Sequence, residues 1–310
     1  MNIATVKEGL SRSTVSPFGE LIDYEYMYSL PDMNLKRISS ATVGLNRLPS
    51  EALDDMGGLF DPRETDAYRS ARDYVRTKLG TFDIAIRGTS TWPESLADSE
   101  RPAPVLYYRG NLNLMSAPSV SVVGSRRASP AGMELASVMA RELVGLGYHV
   151  ATGLAAGIDT AAATSAIDAG PGAAIGVIGK PIDECYPTEN AWIHREIVAR
   201  GGLLVSQVPF YRYHLQPFKA RRYYFPERNE LMAAISDATL IVEASDTSGT
   251  LTQARACAHQ GRPLFISRHC YDNPAVSWPR KWADKPNVYV VSTAGEIDDI
   301  LRGGLLRDVI

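Results

Sequence analysis

Three short stretches of this sequence end an apolar run in glycine, hydroxyl or charged residues: "VGSRR" (123–127), "GLAAGID" (153–159) and "EASDTSGT" (243–250); "FPERN" (225–229) marks a fourth junction. Residues of these types can hold an anion. In the first, Gly124 permits a tight turn, Ser125 offers a hydroxyl, and Arg126 sets a fixed positive charge beside a helix start. In the second, Gly153 and Gly157 let the backbone approach a ligand. Asp159 suits a cap and loop organiser better than a base, because a carboxylate repels phosphate. In "EASDTSGT", Ser248, Gly249 and Thr250 open a helix and can cradle a phosphate with N–H groups and hydroxyls. At "FPERN", Arg228 can reach a phosphate, and Asn229 can cap or tie down the turn. Each alone matches an ordinary glycine turn or Ser/Thr cap; on one sheet edge they would make a pocket.

Residues 210–229, "FYRYHLQPFKARRYYFPERN", gather seven aromatics, five Lys or Arg and one acid. A solvated charge run has no need of the rings, and a buried strand would not tolerate the charges. The mixture suits a partner that is anionic and flat. Arg212, Lys219, Arg221, Arg222 and Arg228 can neutralise phosphates, while Tyr211, Tyr213, Phe218, Tyr223 or Tyr224 can stack on unpaired bases at about 1–3 kcal/mol each. At least two of Phe210, Phe218 and Phe225 are expected in the core or a dimer interface instead.

The rest of the composition narrows the classes. With 310 residues, 45% apolar and 22% charged, the chain has the make-up of a soluble globular protein. Its formal net charge of −3 gives no general attraction to nucleic acid, so such binding must come from a local patch. No apolar run approaches the roughly 20 residues that span a bilayer. The opening "MNIATVKEGLSRSTVSPFGE" lacks the basic flank and apolar block of a secretory signal, so a cytoplasmic protein is expected. Cys185, Cys257 and Cys270 are widely spaced with no histidine cluster, which predicts free thiols and no metal site. Neither the dinucleotide fingerprint nor the ending of a P-loop is present, so no cofactor is expected.

From about residue 119, short apolar strands alternate with helices. "SVSVVGS" leads to a helix capped by Ser129 and begun by Pro130; "YHVATGLA", "AAIGVIG", "LLVSQVP", "ATLIVEA", "PLFIS" and "NVYVV" continue the series. This predicts an α/β fold: a Rossmann-like, doubly wound, mostly parallel sheet covered on both faces. Ligands of such sheets bind beyond the carboxyl ends of the strands, where the four junctions lie. Residues 1–85 read as a small, mainly helical region, and 86–310 as the sheet domain. "TWPESL" and "RPAPVLYYRGN" read as a Pro-rich connection into it.

Taken in order, "VVGSR", "TGLAAGID", "DECYP", "FPERN" and "VEASDTSGTLTQARACAHQGRP" resemble the DprA/Smf family of DNA-processing proteins, over roughly 90–267. The resemblance implies a Rossmann-like domain that binds single-stranded DNA, usually as a homodimer. It also implies help in loading a RecA-type recombinase, with no reaction catalysed. The family's anion pocket falls on Gly124, Ser125, Arg126, Gly153, Gly157, Asp159, Arg228, Asn229, Ser248, Gly249 and Thr250, and its basic rim on the region of Lys219. Ala163 stands where the family has histidine, and Glu230 where it has a second arginine, a reversal expected to weaken or redirect backbone binding. "RHCYDNP" replaces the usual Pro-Gly turn, and the winged-helix tail of many members is not expected after residue 302.

Two other classes compete. "SDTSGTLTQ" loosely resembles the PGGxGT loop of cytokinin-activating phosphoribohydrolases, which suggests a nucleotide sensor or hydrolase. Thr252 and Gln253 stand where those enzymes carry a catalytic acid, leaving Glu243 as a lone substitute. An interaction module of a DNA-uptake or antiviral system would use the tail, through Trp278, Trp282 and its last apolar helix.

Overall fold

The computed structural model describes residues 15–58 and 60–307, with side chains as far as residue 303. The start read as free of a signal lies largely outside these residues, as do the side chains of the last helix beyond residue 303, whereas Ile297 is buried and Ile300 and Leu301 pack on the core.

Among the described residues nine strands form one sheet: β1 (Asp83–Ile86), β2 (Val105–Gly110), β3 (Ser119–Val123), β4 (His149–Thr152), β5 (Ala174–Ile178), β6 (Leu203–Ser206), β7 (Ala238–Ile241), β8 (Leu264–Ser267) and β9 (Val288–Val291). Their order is β1-β2-β6-β5-β4-β3-β7-β8-β9. From β6 to β9 the ladder is parallel, with Val123 opposite Ile241 and Ser121 opposite Ala151. β3, β5, β6, β7 and β8 are buried along their whole length, which is why they read as unbroken apolar runs. The fold is the Rossmann-like one expected.

Local chemistry starts the helices. The Ser129 hydroxyl accepts from the N–H of Gly132 at the head of Pro130–Gly145. The helix after β4 begins two residues earlier than a cap at Asp159 would place it: Gly157 caps Ile158–Ala169, and Asp159 lies inside its first turn. A further difference concerns β1, which falls at the end of the stretch expected to be mainly helical, and β2, which the sequence hides in a Pro-rich connection. β2 pairs with β6, placing Tyr107 opposite Ser206, and a partner so distant leaves no local periodicity to read. The boundary expected at 85/86 falls within β1.

Before β1 the described residues form four α-helices, Pro17–Ser29, Leu35–Ala41, Pro49–Gly57 and Asp66–Arg76. Their buried face joins the core of the sheet: Leu21, Tyr24 and Met27 belong to the same apolar cluster as Tyr107 and Phe210. In the tail, Trp278 is buried with its indole N–H on the Ala244 carbonyl (2.8 Å), and Trp282 packs on the core, so these rings complete the fold.

Two carboxyls, Glu25 and Glu227, bear on stability near neutral pH. Burial raises Glu25 to about 7 against hydrogen bonds from Tyr107, Tyr211 and Phe210. Burial also raises Glu227 to about 7, with Arg101 opposing and Glu230 reinforcing. With folded values above an unfolded value of 4.5, the folded state holds the extra protons between the two. The stabilising contribution is complete below the unfolded value and lost as pH rises through the folded one. Urea unfolding should show stability declining from about pH 5 to 8, by at most about 1.4 kcal/mol per pH unit per group, and Glu227→Gln should flatten the profile. A flat profile for the unsubstituted protein would refute both assignments.

Candidate nucleic-acid interface

β3 has β4 on one side and β7 on the other, so the chain reverses its direction of winding there. Beyond the carboxyl ends of these strands the connecting loops part, and a cleft of about 410 Å³ opens between them. Its volume lies in the range that takes a small ligand or one nucleotide of a longer chain. Ser125 N–H donates to the Glu243 carbonyl (2.7 Å) and Ile158 N–H to the Ser125 carbonyl (3.2 Å), so the loops after β3, β4 and β7 are tied together.

A buried pair of charges supports the floor. Asp159 accepts from the N–H of Gly153 (3.1 Å) and, more weakly, of Gly124 (3.4 Å), bridging the ends of β4 and β3. Burial raises its carboxyl, against the pull of Arg228 and of the Ala155, Gly124 and Gly153 amides. Arg228 is 7% exposed, donates through Nη1 to the Val177 carbonyl (3.0 Å), and has its pKa lowered by burial against the attraction of Asp159. Gly153 is required by this guanidinium, since a Cβ there would lie 1.5 Å from Arg228 Nη1. Gly157, at φ +78°, leaves no room for a Cβ against the Ser125 carbonyl at 2.3 Å.

Of the residues singled out in the sequence, Gly124, Ser125, Arg126, Asp159, Arg228, Asn229, Ser248, Gly249 and Thr250 line the cleft. Gly153 and Gly157 stand behind it as packing positions, and Lys219, Arg221 and Arg222 do not line it. Asn229 is no cap: "FPERN" lies inside the helix Tyr224–Ala234, whose first turn accommodates Pro226, and Asn229 donates from Nδ2 to the Gly249 carbonyl (3.3 Å). The turn before Thr250 is self-capped. Thr250 N–H donates to Ser248 Oγ (3.1 Å), Ser248 Oγ donates to Thr250 Oγ1 (2.9 Å), and Thr250 Oγ1 donates to the Gly124 carbonyl (3.3 Å). Arg126, by contrast, is exposed and makes no salt bridge among the described residues; its guanidinium lies 5.6 Å from the Phe225 ring centroid and 5.9 Å from that of Tyr186.

Two of the departures from the family pattern, Glu230 and Ala163, are accommodated. Glu230 is paired with Arg101 and does not line the cleft. Ala163 is buried in the helix Ile158–Ala169.

Residues 210–229 form a strap of short helical turns, Phe210–Leu215 and Ala220–Tyr223, running into the helix Tyr224–Ala234. Folding divides its rings sharply. Phe210, Tyr213 and Tyr224 are buried, and Tyr211 packs on Tyr74, which removes them as stacking platforms. Phe218 and Tyr223 remain, 84% and 62% exposed. Arg221 is committed to the strap itself, donating to the Gln216 (3.2 Å) and His214 (3.4 Å) carbonyls and lying 4.4 Å from the Tyr213 ring centroid. Lys219 and Arg222 are exposed without a salt bridge among the described residues.

The sequence reading passed over several contributors. Arg127 and Thr247 also line the cleft, and Phe225, expected in the core or a dimer interface, lines it half-buried beneath Arg126. Asn190 donates to the Leu154 carbonyl (2.9 Å) and holds Leu154 at φ +54°, a conformation unfavourable for leucine. The second arginine of "VGSRR" was a local signal for Arg127; nothing local marks Asn190.

The chain is similar to known proteins. A family model described as DNA recombination-mediator protein A matches residues 83–293, beginning at β1. Protein Smf of Escherichia coli K12 is 32% identical over 213 residues, 69% of this chain and 54% of that protein, so the match spans about half of its length. DNA processing protein DprA of Bacillus subtilis is 27% identical over 252 residues, 81% of this chain and 80% of the relative. The X-ray structure of DNA processing protein A from Streptococcus pneumoniae agrees with a TM-score of 0.71 at 23% identity, covering 91% of this chain and 97% of the other. A Helicobacter pylori structure, described as showing a single-stranded DNA binding mode of DNA processing protein A, has a TM-score of 0.59 at 24% identity and covers 73% and 96%. At these identities the two structures speak to the fold.

Arg228→Ala should destabilise the fold by about 1–3 kcal/mol in urea, because the buried Val177 carbonyl loses its donor and Asp159 loses the nearby charge. Gly153→Ala should cost about 1–3 kcal/mol through displacement of the same guanidinium. An Arg228→Ala protein as stable as the parent would show that the pair does not support the cleft.

Proposed function

The chain belongs to the DNA recombination-mediator protein A (DprA/Smf) family, and from that premise we propose that it binds single-stranded DNA along the cleft and the strap beside it. The observation that carries the reading is Arg126: an exposed cation at the mouth of the switch-point cleft, laid against the rings of Phe225 and Tyr186. Such a site offers a phosphate its charge and an unpaired base a flat apolar face. Phe218 and Tyr223, with Lys219 and Arg222 beside them in the chain, continue the same chemistry on the strap. In the same proposal Ser125, Ser248, Gly249 and Thr250 shape the wall that receives a phosphate, while Asp159, Arg228, Gly153 and Gly157 hold that wall in place. The contacts favour backbone and ring stacking over base edges, so binding should depend on salt and little on sequence.

The description of the Helicobacter pylori relative supports single-stranded DNA as the ligand. A role in DNA processing or recombination mediation, contact with a RecA-type recombinase, and a homodimer belong to the same proposal through the family. A nucleotide sensor is the second reading, favoured by the bounded size of the cleft. Hydrolysis has less support. Burial pushes the Glu243 carboxyl up, but hydrogen bonds from Ser129 and His269 outweigh it and hold it below its ordinary range. Gln253 is buried and bonded to the Asn229 carbonyl (2.6 Å) and Thr239 (3.1 Å) in the amide orientation that satisfies its neighbours. Neither side chain is free to serve as a proton acceptor.

Fluorescence anisotropy of a labelled oligonucleotide, single-stranded beside duplex and over a salt series, tests the proposal. Single strands should bind more tightly than duplex; Arg126→Ala should weaken binding about tenfold, and Arg222→Ala should lower the logarithmic salt slope by about 1. Phe218→Ala with Tyr223→Ala should lose affinity while keeping the slope. Absence of binding at low salt would sink the DNA reading, and displacement of the oligonucleotide by a mononucleotide at equal concentration would favour the sensor.

A further inference from the structure

The strap is held at its amino-terminal end by a residue of the helical region that precedes the sheet. Glu25, in the helix Pro17–Ser29, is fully buried. Its Oε1 accepts from the Phe210 N–H (2.8 Å) and the Tyr107 hydroxyl (2.6 Å), and its Oε2 accepts from the Tyr211 N–H (2.9 Å). Phe210 and Tyr211 open the first helical turn of the strap, so the carboxylate occupies those amides and fixes the direction in which the strap departs. Other contacts repeat the connection. Arg212 donates to the Ser29 carbonyl (3.4 Å), the Tyr24 hydroxyl to the Gln207 carbonyl (3.4 Å), and Tyr74 stacks on His214 at 4.5 Å.

We propose that Glu25 is a positioning residue for DNA binding: the helical region before the sheet clamps the strap through this carboxylate, and so sets where Phe218, Lys219, Arg222 and Tyr223 stand relative to Arg126. This rests on the reading of the cleft and strap as a single-strand site. It gives the residues before β1 a part in binding, although the family match begins only at residue 83. No side chain before β1 need touch DNA for this. The clamp acts through the backbone of the strap, from which its exposed rings and cations project.

The test compares the unsubstituted protein with Glu25→Gln, and with Ser50→Ala as a control. Gln keeps the size of Glu25 but presents an NH2 group to one of the donors. Ser50 donates to Glu20 through both its hydroxyl (2.7 Å) and N–H (2.9 Å), so removing its hydroxyl loosens the same helical region without touching the strap. Binding of a labelled thirty-nucleotide single strand and hydrogen exchange of the Phe210 and Tyr211 amides are measured for each. Glu25→Gln should weaken binding about tenfold, lower the salt slope and speed exchange at those amides, while Ser50→Ala does none of these. Should Glu25→Gln not fold, Tyr107→Phe removes one of the three donors and should weaken binding about threefold. Binding by the unsubstituted protein that neither clamp variant changes overturns the clamp and leaves the DNA reading standing. No binding by the unsubstituted protein overturns both. Equal losses in Ser50→Ala and Glu25→Gln overturn the specific role of Glu25, since general loosening then accounts for the effect.

Discussion

The site depends on a carboxylate that never reaches solvent. Asp159 ties the ends of β3 and β4 through the N–H groups of Gly124 and Gly153, and its burial is offset by the equally buried charge of Arg228. Desolvating two ions is expensive, and Arg228 is bonded through Nη1 to the Val177 carbonyl while its Nε is buried without a hydrogen-bond partner among the described residues. Here the pair makes demands on its surroundings. Gly153 must lack a side chain to admit the guanidinium, and Val177 must present its carbonyl to it. The helix Tyr224–Ala234 must bring Arg228 back to the strands it left. A cleft built on these conditions is stiff at its base.

Charge is distributed unevenly above that base. Arg228 is inside and compensated, Arg101 is spent on Glu230 and Glu227, and Arg221 is bonded into the strap. Arg126, Lys219 and Arg222 remain outside without a salt bridge among the described residues. A chain with a formal net charge of −3 thus presents cations to solvent where rings are also exposed, and Glu227 and Glu230, the acids beside the strap in sequence, are paired with Arg101.

Much of this was legible in the residues. "VGSRR", "GLAAGID" and "EASDTSGT" end strands that are apolar on both faces, and the loops do converge on one sheet edge. Their individual roles were less legible. Ser248 and Thr250 have the composition of a phosphate cradle, yet their hydroxyls close the turn on itself. Asn229 looks like a cap in a turn, but Pro226 fits the first turn of a helix that has already begun at Tyr224. β1 and β2 escaped because their pairing spans the sheet edge and leaves no period behind.

The sequence by itself determined the parallel sheet and the position of the cleft, because apolar runs, glycine turns and helix-starting residues act over a few neighbouring positions. It also determined that residues 210–229 hold both cations and rings. Which of them face solvent was decided only by tertiary structure. Tyr213 and Tyr224 are buried against one another and Val208, Phe218 and Tyr223 are left exposed, and Phe210 and Tyr211 are covered by Glu25, Tyr74 and Tyr107. Those last three partners lie about a hundred residues or more away in the chain, and burial is a property of what packs against a side chain, not of its own type or its neighbours in sequence.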